Sequence, residues 1–315
     1  MAFTTVAALA GAGLAVPAWL RNSLLAVLGV MLGSAFGPEL LGRIGQWSVT
    51  LLGLLAYIAI VCGAGYVYLR RLGRYNALDS YFTAMPGGLN EMTALGHAMG
   101  GDARLISLSH AVRLTFVVFT IPVWFRLFQG YLPSAEPQTG GGFAETAPAE
   151  LALLAACALG GPLLGRLCRM PAPHLTGALL LTAALHITGV AHSSVPPELV
   201  VIAQVGLGAS LGARFAGFPV RRVIGTIGVA SGLSVIMILG TVLVSLALAP
   251  LSGVPFETLL LAFAPGGFAE MSLVSLALGF DTAFIATHQL LRVLLVIFLA
   301  PLFFRLVPSR VNVTE

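Results

Sequence analysis

Seven stretches of this chain are long and apolar enough to cross a bilayer as helices, and this constrains its fold more than any other feature. A span needs about 18 or more mostly apolar residues. The stretches are 47–69, 105–128, 151–167, 174–191, 197–214, 223–249 and 283–306, with shorter runs at 23–38 and 2–15. Only 9% of residues are charged and 58% are apolar, whereas a soluble domain is about 25% charged. Such a chain has too little polar surface to cover itself in water. A soluble enzyme, a nucleic-acid binder, a disulfide scaffold and a disordered chain are all excluded. Cys62, Cys157 and Cys168 lack framework spacing and read as free thiols. The 16 basic residues are all arginine against 12 acids, an excess that serves first as an orientation signal. Arg21 follows the first apolar run instead of preceding it, which argues against a cleavable signal peptide. The loop 129–149 has no basic residue and reads as a non-cytoplasmic linker.

Two apolar segments, 77–100 and 257–280, are interrupted by Pro-Gly-Gly. Proline and glycine break the helix, and unpaired backbone at membrane depth is tolerated only inside protein or beside a water-filled cavity. Both segments read as helical hairpins. They also belong to an internal repeat. Glu91 and Glu270, Asp102 and Asp281, Arg113 and Arg292, and Pro122 and Pro301 all lie 179 residues apart. Aligning 85–127 with 264–306 needs no gap and gives 16 identities in 43 positions. Chance matching of apolar sequence does not align Glu, Asp and Arg at one offset. The first repeat is 1–128 with its hairpin at 77–100, and the second is 150–315 with its hairpin at 257–280. Residues 151–180 have no counterpart in the first repeat, which therefore reads as N-terminally incomplete.

Arginine placement orients the repeats. Arg70, Arg71 and Arg74, then Arg166 and Arg169, then Arg214, Arg221 and Arg222, then Arg305 and Arg310 share one face only if both interrupted segments re-enter. The two repeats are then inverted, and the C-terminus is cytoplasmic. The expected fold is an all-α polytopic membrane protein with two inverted repeats, about nine transmembrane helices and two re-entrant hairpins. Inverted repeats with helices broken at matching positions are the sequence signature of a secondary transporter, with its site at the repeat interface.

Glu91 and Glu270 follow Pro-Gly-Gly by three residues, in the first turn of the second hairpin helix. They read as helix caps or as ion-coupling groups that bind a proton or cation. An acid at membrane depth costs about 2.5–3.5 kcal/mol, more than the roughly 1 kcal/mol a cap returns. Asp102 and Asp281 read as N-caps of the next span or as further ion-coupling groups. Arg113 and Arg292, three turns on, must find an acid, a carbonyl or water, and read as ion-pair partners of a hairpin Glu or as a clamp for a substrate anion. The turns Pro86-Gly87-Gly88 and Pro265-Gly266-Gly267 either permit tight packing or present helix ends and backbone groups to a substrate. A substrate rarely has two-fold symmetry, so specificity is expected where the copies differ. These positions are Asn90 against Ala269, His97 against Leu276, Ser109 against His288, and His110 against Gln289. No His or Cys group has metal-ligand spacing, and no nucleotide loop or nucleophile elbow occurs. No cofactor is expected beyond Na⁺ or H⁺ as coupling ion.

The paired segments MPGGLNEM and APGGFAEM, each followed by Asp and later Arg, resemble the AbrB family of bacterial membrane proteins over essentially the whole chain. The resemblance implies a duplicated membrane domain in the bacterial inner membrane. It also implies a distant likeness to inverted-repeat, cation-coupled transporters with an elevator mechanism. Family members are often labelled ammonia monooxygenases or linked to gene regulation. The expected function is Na⁺- or H⁺-coupled transport of a small solute, with an anion as one candidate, by a homodimer embedded in lipid. The alternatives are an integral-membrane monooxygenase and a membrane ligand sensor. No nucleic-acid partner is expected.

Overall fold

The computed structural model describes residues 16–38, 42, 44–128, 130, 142, 145–213 and 220–304. These residues form twelve α-helices and one short 3-10 turn, Ile44–Trp47. In chain order the helices begin with α1 (Ala18–Gly33), α2 (Ser48–Arg71), α3 (Ala77–Ala84) and α4 (Leu89–Ala98). Next come α5 (Ala103–Phe128), α6 (Pro148–Leu167), α7 (Pro173–Ile187) and α8 (Pro197–Ala213). The last four are α9 (Val220–Ser252), α10 (Phe256–Phe263), α11 (Phe268–Ala277) and α12 (Thr282–Phe304). Five of them, α2, α5, α6, α9 and α12, are long and apolar enough to cross a membrane, and α1, α7, α8 and α11 are shorter apolar helices. This is a polytopic membrane protein.

The expected spans fall on helices, with one displacement. The run read as 23–38 is α1, which starts directly after Pro17 and stops at Gly33 with Ser34 as its cap. A proline before the first turn fixes the start earlier than hydropathy does. The 2–15 run and most of the 129–149 linker lie outside the described residues.

Both interrupted segments are broken helices. α3 begins at Asn76, whose side chain accepts from the Asp79 amide at 2.7 Å, and ends at Met85 before Pro86. Gly88 then opens α4, which packs on α3. The pairs Ala77–Ala84 with Phe256–Phe263 and Leu89–Ala98 with Phe268–Ala277 start and stop 179 residues apart. The sequence offset is thus also an offset in helix boundaries.

The chain divides into two compact units. One comprises Met1–Ser48, Trp124–Phe218 and Ala269–Thr287, and the other Val49–Val123, Pro219–Phe268 and His288–Glu315. In the first unit α1 packs on α6, α7 and α8, and α6 packs on α7. Small residues allow this closeness, as in membrane helix pairs generally. A Cβ on Gly33 would sit 2.5 Å from the Leu179 carbonyl oxygen, and one on Gly165 would sit 2.5 Å from that of Pro173. In the second unit α9 packs on α10, and α2 approaches α9 where a Cβ on Gly240 would come within 2.7 Å of Val61. Both helix breaks, at 85–88 and 264–267, belong to this second unit.

Candidate functional site

A helix that stops at membrane depth leaves carbonyls without amide partners, and each must be satisfied by protein. Here arginine from the following long helix satisfies them, in the same way at both breaks. Arg113 of α5 donates to the Met85 carbonyl at 2.8 Å and the Gly87 carbonyl at 3.0 Å. Arg292 of α12 donates to the carbonyl of Ala264 and, at 2.7 Å, to that of Gly266. Both side chains are about 1% exposed. The third donor of each guanidinium, Nε, has no hydrogen-bond partner. Neither arginine forms an ion pair with a carboxylate among the described residues. Of the partners open to them, an acid, a carbonyl or water, the structure shows carbonyls.

A second layer repeats one helical turn earlier. His110 Nε2 lies 3.1 Å from the Phe82 carbonyl, so that nitrogen carries the proton. Gln289, its counterpart, donates to the carbonyls of Leu261 at 2.8 Å and Ala264 at 3.2 Å. The residue types differ while the bond to the preceding helix is kept. His288 sits against Thr50 Oγ1 at 2.9 Å and edge-on to Phe263, whereas its counterpart Ser109 is buried.

The carboxylates occupy other places. Glu91 is half-buried in the first turn of α4, with its carboxylate folded back over Gly88 so closely that a Cβ there would collide with Oε2. Only glycine leaves room for that conformation. Glu270 is half-buried in the first turn of α11. Asp102 caps α5 by accepting from the amides of Arg104 at 2.9 Å and Leu105 at 3.2 Å, and it is exposed. Asp281 accepts from the Phe284 amide at 3.0 Å, the same position in its helix. Pro86, Gly87, Pro265 and Gly266 are buried, Gly88 and Gly267 half-buried, and Asn90 exposed. His97 lies in the last turn of α4, exposed and some nine residues from Gly88. At 1.5 Å per residue that is about 13 Å from the break. The length of α4 therefore carries His97 away from the break, unlike Asn90 at its start.

Two residues escaped the sequence reading. Asp79 is 3% exposed; its Oδ1 accepts from the Asp102 amide at 2.8 Å and its Oδ2 from Asn76 Nδ2 at 2.7 Å, tying the start of α3 to the start of α5. Tyr57 is fully buried, accepts from Thr241 Oγ1 at 3.2 Å, and lies within electrostatic reach of both Arg113 and Arg292. Among the described residues no three His, Cys, Asp or Glu side chains converge as a metal site.

A charge-poor chain of many apolar helices, with two broken pairs each gripped by a buried arginine, is an integral membrane protein with an internally paired polar centre. It belongs to the AbrB family: the family described as "Transition state regulatory protein AbrB" matches residues 1–308. A Bacillus subtilis (strain 168) protein described as "Uncharacterized protein YhjN" is 30% identical over 303 residues, covering 89% of this chain and 76% of that protein.

Proposed function

We propose that this protein is a secondary active transporter that moves a small solute by alternating access, coupled to Na⁺ or H⁺. The observation that carries the reading is the pair of helix breaks in one compact unit, each held by a buried arginine on two carbonyls. Broken helices in corresponding halves are where carriers of this architecture place solute and ion. The shared 179-residue offset of both breaks and their arginines supports an inverted repeat with re-entrant hairpins. Arg70 and Arg71 in the last turn of α2 and Arg166 in the last turn of α6 support the orientation on which that inversion depends.

Glu91 and Glu270 are the coupling groups in this reading, because each combines partial burial with the first turn of the helix that follows a break. Asp102 and Asp281 act as helix caps. The test is solute uptake into proteoliposomes under an imposed Na⁺ or proton gradient. Substituting both Glu91→Gln and Glu270→Gln should leave exchange intact and abolish gradient-driven accumulation; undiminished accumulation would sink the coupling assignment. A second reading, a membrane sensor, is favoured by the family's description as regulatory. It predicts saturable binding without counterflow.

A further inference from the structure

Two buried guanidiniums stand in one unit with no carboxylate paired to them among the described residues. Arg113 and Arg292 are each about 1% exposed, lie within electrostatic reach of one another, and keep an unpartnered Nε. Glu91, in the same unit, turns back onto Gly88. The acceptors the arginines do have are the C-cap carbonyls of α3 and α10, at Met85 and Ala264, and the turn carbonyls of Gly87 and Gly266. Carbonyl dipoles supply only partial negative charge, about half a unit at a helix C-terminus, so the two guanidiniums keep a net positive charge. A charge out of water demands a partner.

Next to this centre lies a half-open apolar pocket of about 410 Å³, lined by Cys62, Tyr81, Met85, Val296 and Ala300 and by the exposed Leu55 and Phe303 at its mouth. Met85 belongs to both places: its side chain lines the cavity and its carbonyl takes the bond from Arg113. Val296 is one helical turn beyond Arg292, and Cys62 is within electrostatic reach of Arg113. The Cys62 thiol also contacts the Met85 sulfur at 3.4 Å. A pocket of this size and polarity takes an apolar ligand body. A carboxylate offers the guanidinium a full opposite charge and two parallel acceptors, which a single carbonyl dipole lacks, so it can displace the Met85 carbonyl.

We infer that Arg113 and Arg292 together bind a monoanion with an apolar body, its head exchanging with the tip carbonyls and its body filling the cavity beside Met85. This rests on the carrier reading and names its substrate class.

The experiment titrates straight-chain carboxylates from acetate to octanoate, with alcohols and amines of equal length, into the full chain in phosphatidylcholine nanodiscs. Carboxylates should bind at least about tenfold more tightly than matched alcohols and amines. Their affinity should rise about fourfold per methylene until the cavity is full. Arg113→Gln should erase the preference for the charged head and keep the length dependence. Ala59→Phe, which fills the cavity wall, should flatten the length dependence and keep the head preference. Arg113→Lys retains the charge and serves if the glutamine variant does not stay monodisperse. Its head preference should persist. Equal binding of alcohols and carboxylates, or an unchanged preference in Arg113→Gln, overturns the inference. Repeating the titration in phosphatidylglycerol separates sources: carboxylate binding suppressed there assigns the same anionic chemistry to a lipid headgroup. Binding without counterflow would fell the carrier reading and leave this site standing. Counterflow of a solute with no carboxylate preference would fell this inference alone.

Discussion

Replacing Arg113 by glutamine or by alanine separates the charge of that side chain from its hydrogen bonds. The wild-type guanidinium makes two bonds, to the Met85 carbonyl at 2.8 Å and the Gly87 carbonyl at 3.0 Å. Bonds from a charged donor contribute about 1.5–3 kcal/mol each, so together they supply about 3–6 kcal/mol. Against this stands the burial of a cation without an acid, which costs several kcal/mol even after relaxation. Glutamine removes that cost and restores one neutral bond of about 1 kcal/mol. Gln289, which donates to Ala264 at the other break, shows that an amide can reach such a carbonyl. Arg113→Gln should therefore fall within about 2 kcal/mol of wild type. Arg113→Ala leaves two buried carbonyls unsatisfied, at about 1–3 kcal/mol each, and opens a cavity as well. The alanine variant should be less stable than the glutamine variant by at least about 2 kcal/mol. Reversible unfolding in bicelles, followed by steric trapping, measures both. A glutamine variant as unstable as the alanine one would show that the charge itself stabilises the fold, and the argument for an unneutralised guanidinium would collapse.

Three further outcomes follow from the packing. Gly177→Ala would drive a Cβ into the Gly161 backbone carbonyl, which cannot swing aside, and should cost more than about 2 kcal/mol. Gly160→Ala, whose nearest neighbour is Leu181 at 3.7 Å, should instead stabilise its helix by about 0.5–1 kcal/mol, and thermal unfolding distinguishes the two. Gly88→Ala would displace the Glu91 carboxylate and should impair gradient-driven uptake, measured as accumulation against exchange, while leaving the Arg113 bonds in place. Asp79→Ala should destabilise by about 1–3 kcal/mol through the lost acceptor for the Asp102 amide; Asp79→Asn, which keeps a carbonyl oxygen, should recover most of it in the same unfolding assay.

The helices were legible because membrane burial imposes a simple code: length, apolarity and a proline or glycine at each end. Pro86-Gly87-Gly88 marked a break because no helix continues through it, and the structure breaks there. The repeat told which polar residues to compare, and that same criterion hid Asp79. Its counterpart at the 179-residue offset is Thr258, so it formed no matched pair. Asp79 ties the start of one helix to the start of another, a role set by local geometry and free to differ between copies. Which of its possible partners each arginine takes was hidden for a different reason. A sequence shows an acid three residues past Pro-Gly-Gly and an arginine far downstream, and opposite charges invite pairing. Helix geometry decides otherwise, because the arginine meets carbonyls that the break itself has exposed. A backbone acceptor exists only once the helix ends, and it has no letter in the sequence. The six matched charges therefore divide by role. The arginines complete the ends of broken helices, the aspartates start long ones, and the glutamates remain half-buried beside the breaks. Half-burial in the first turn after each break puts the coupling prediction on Glu91 and Glu270.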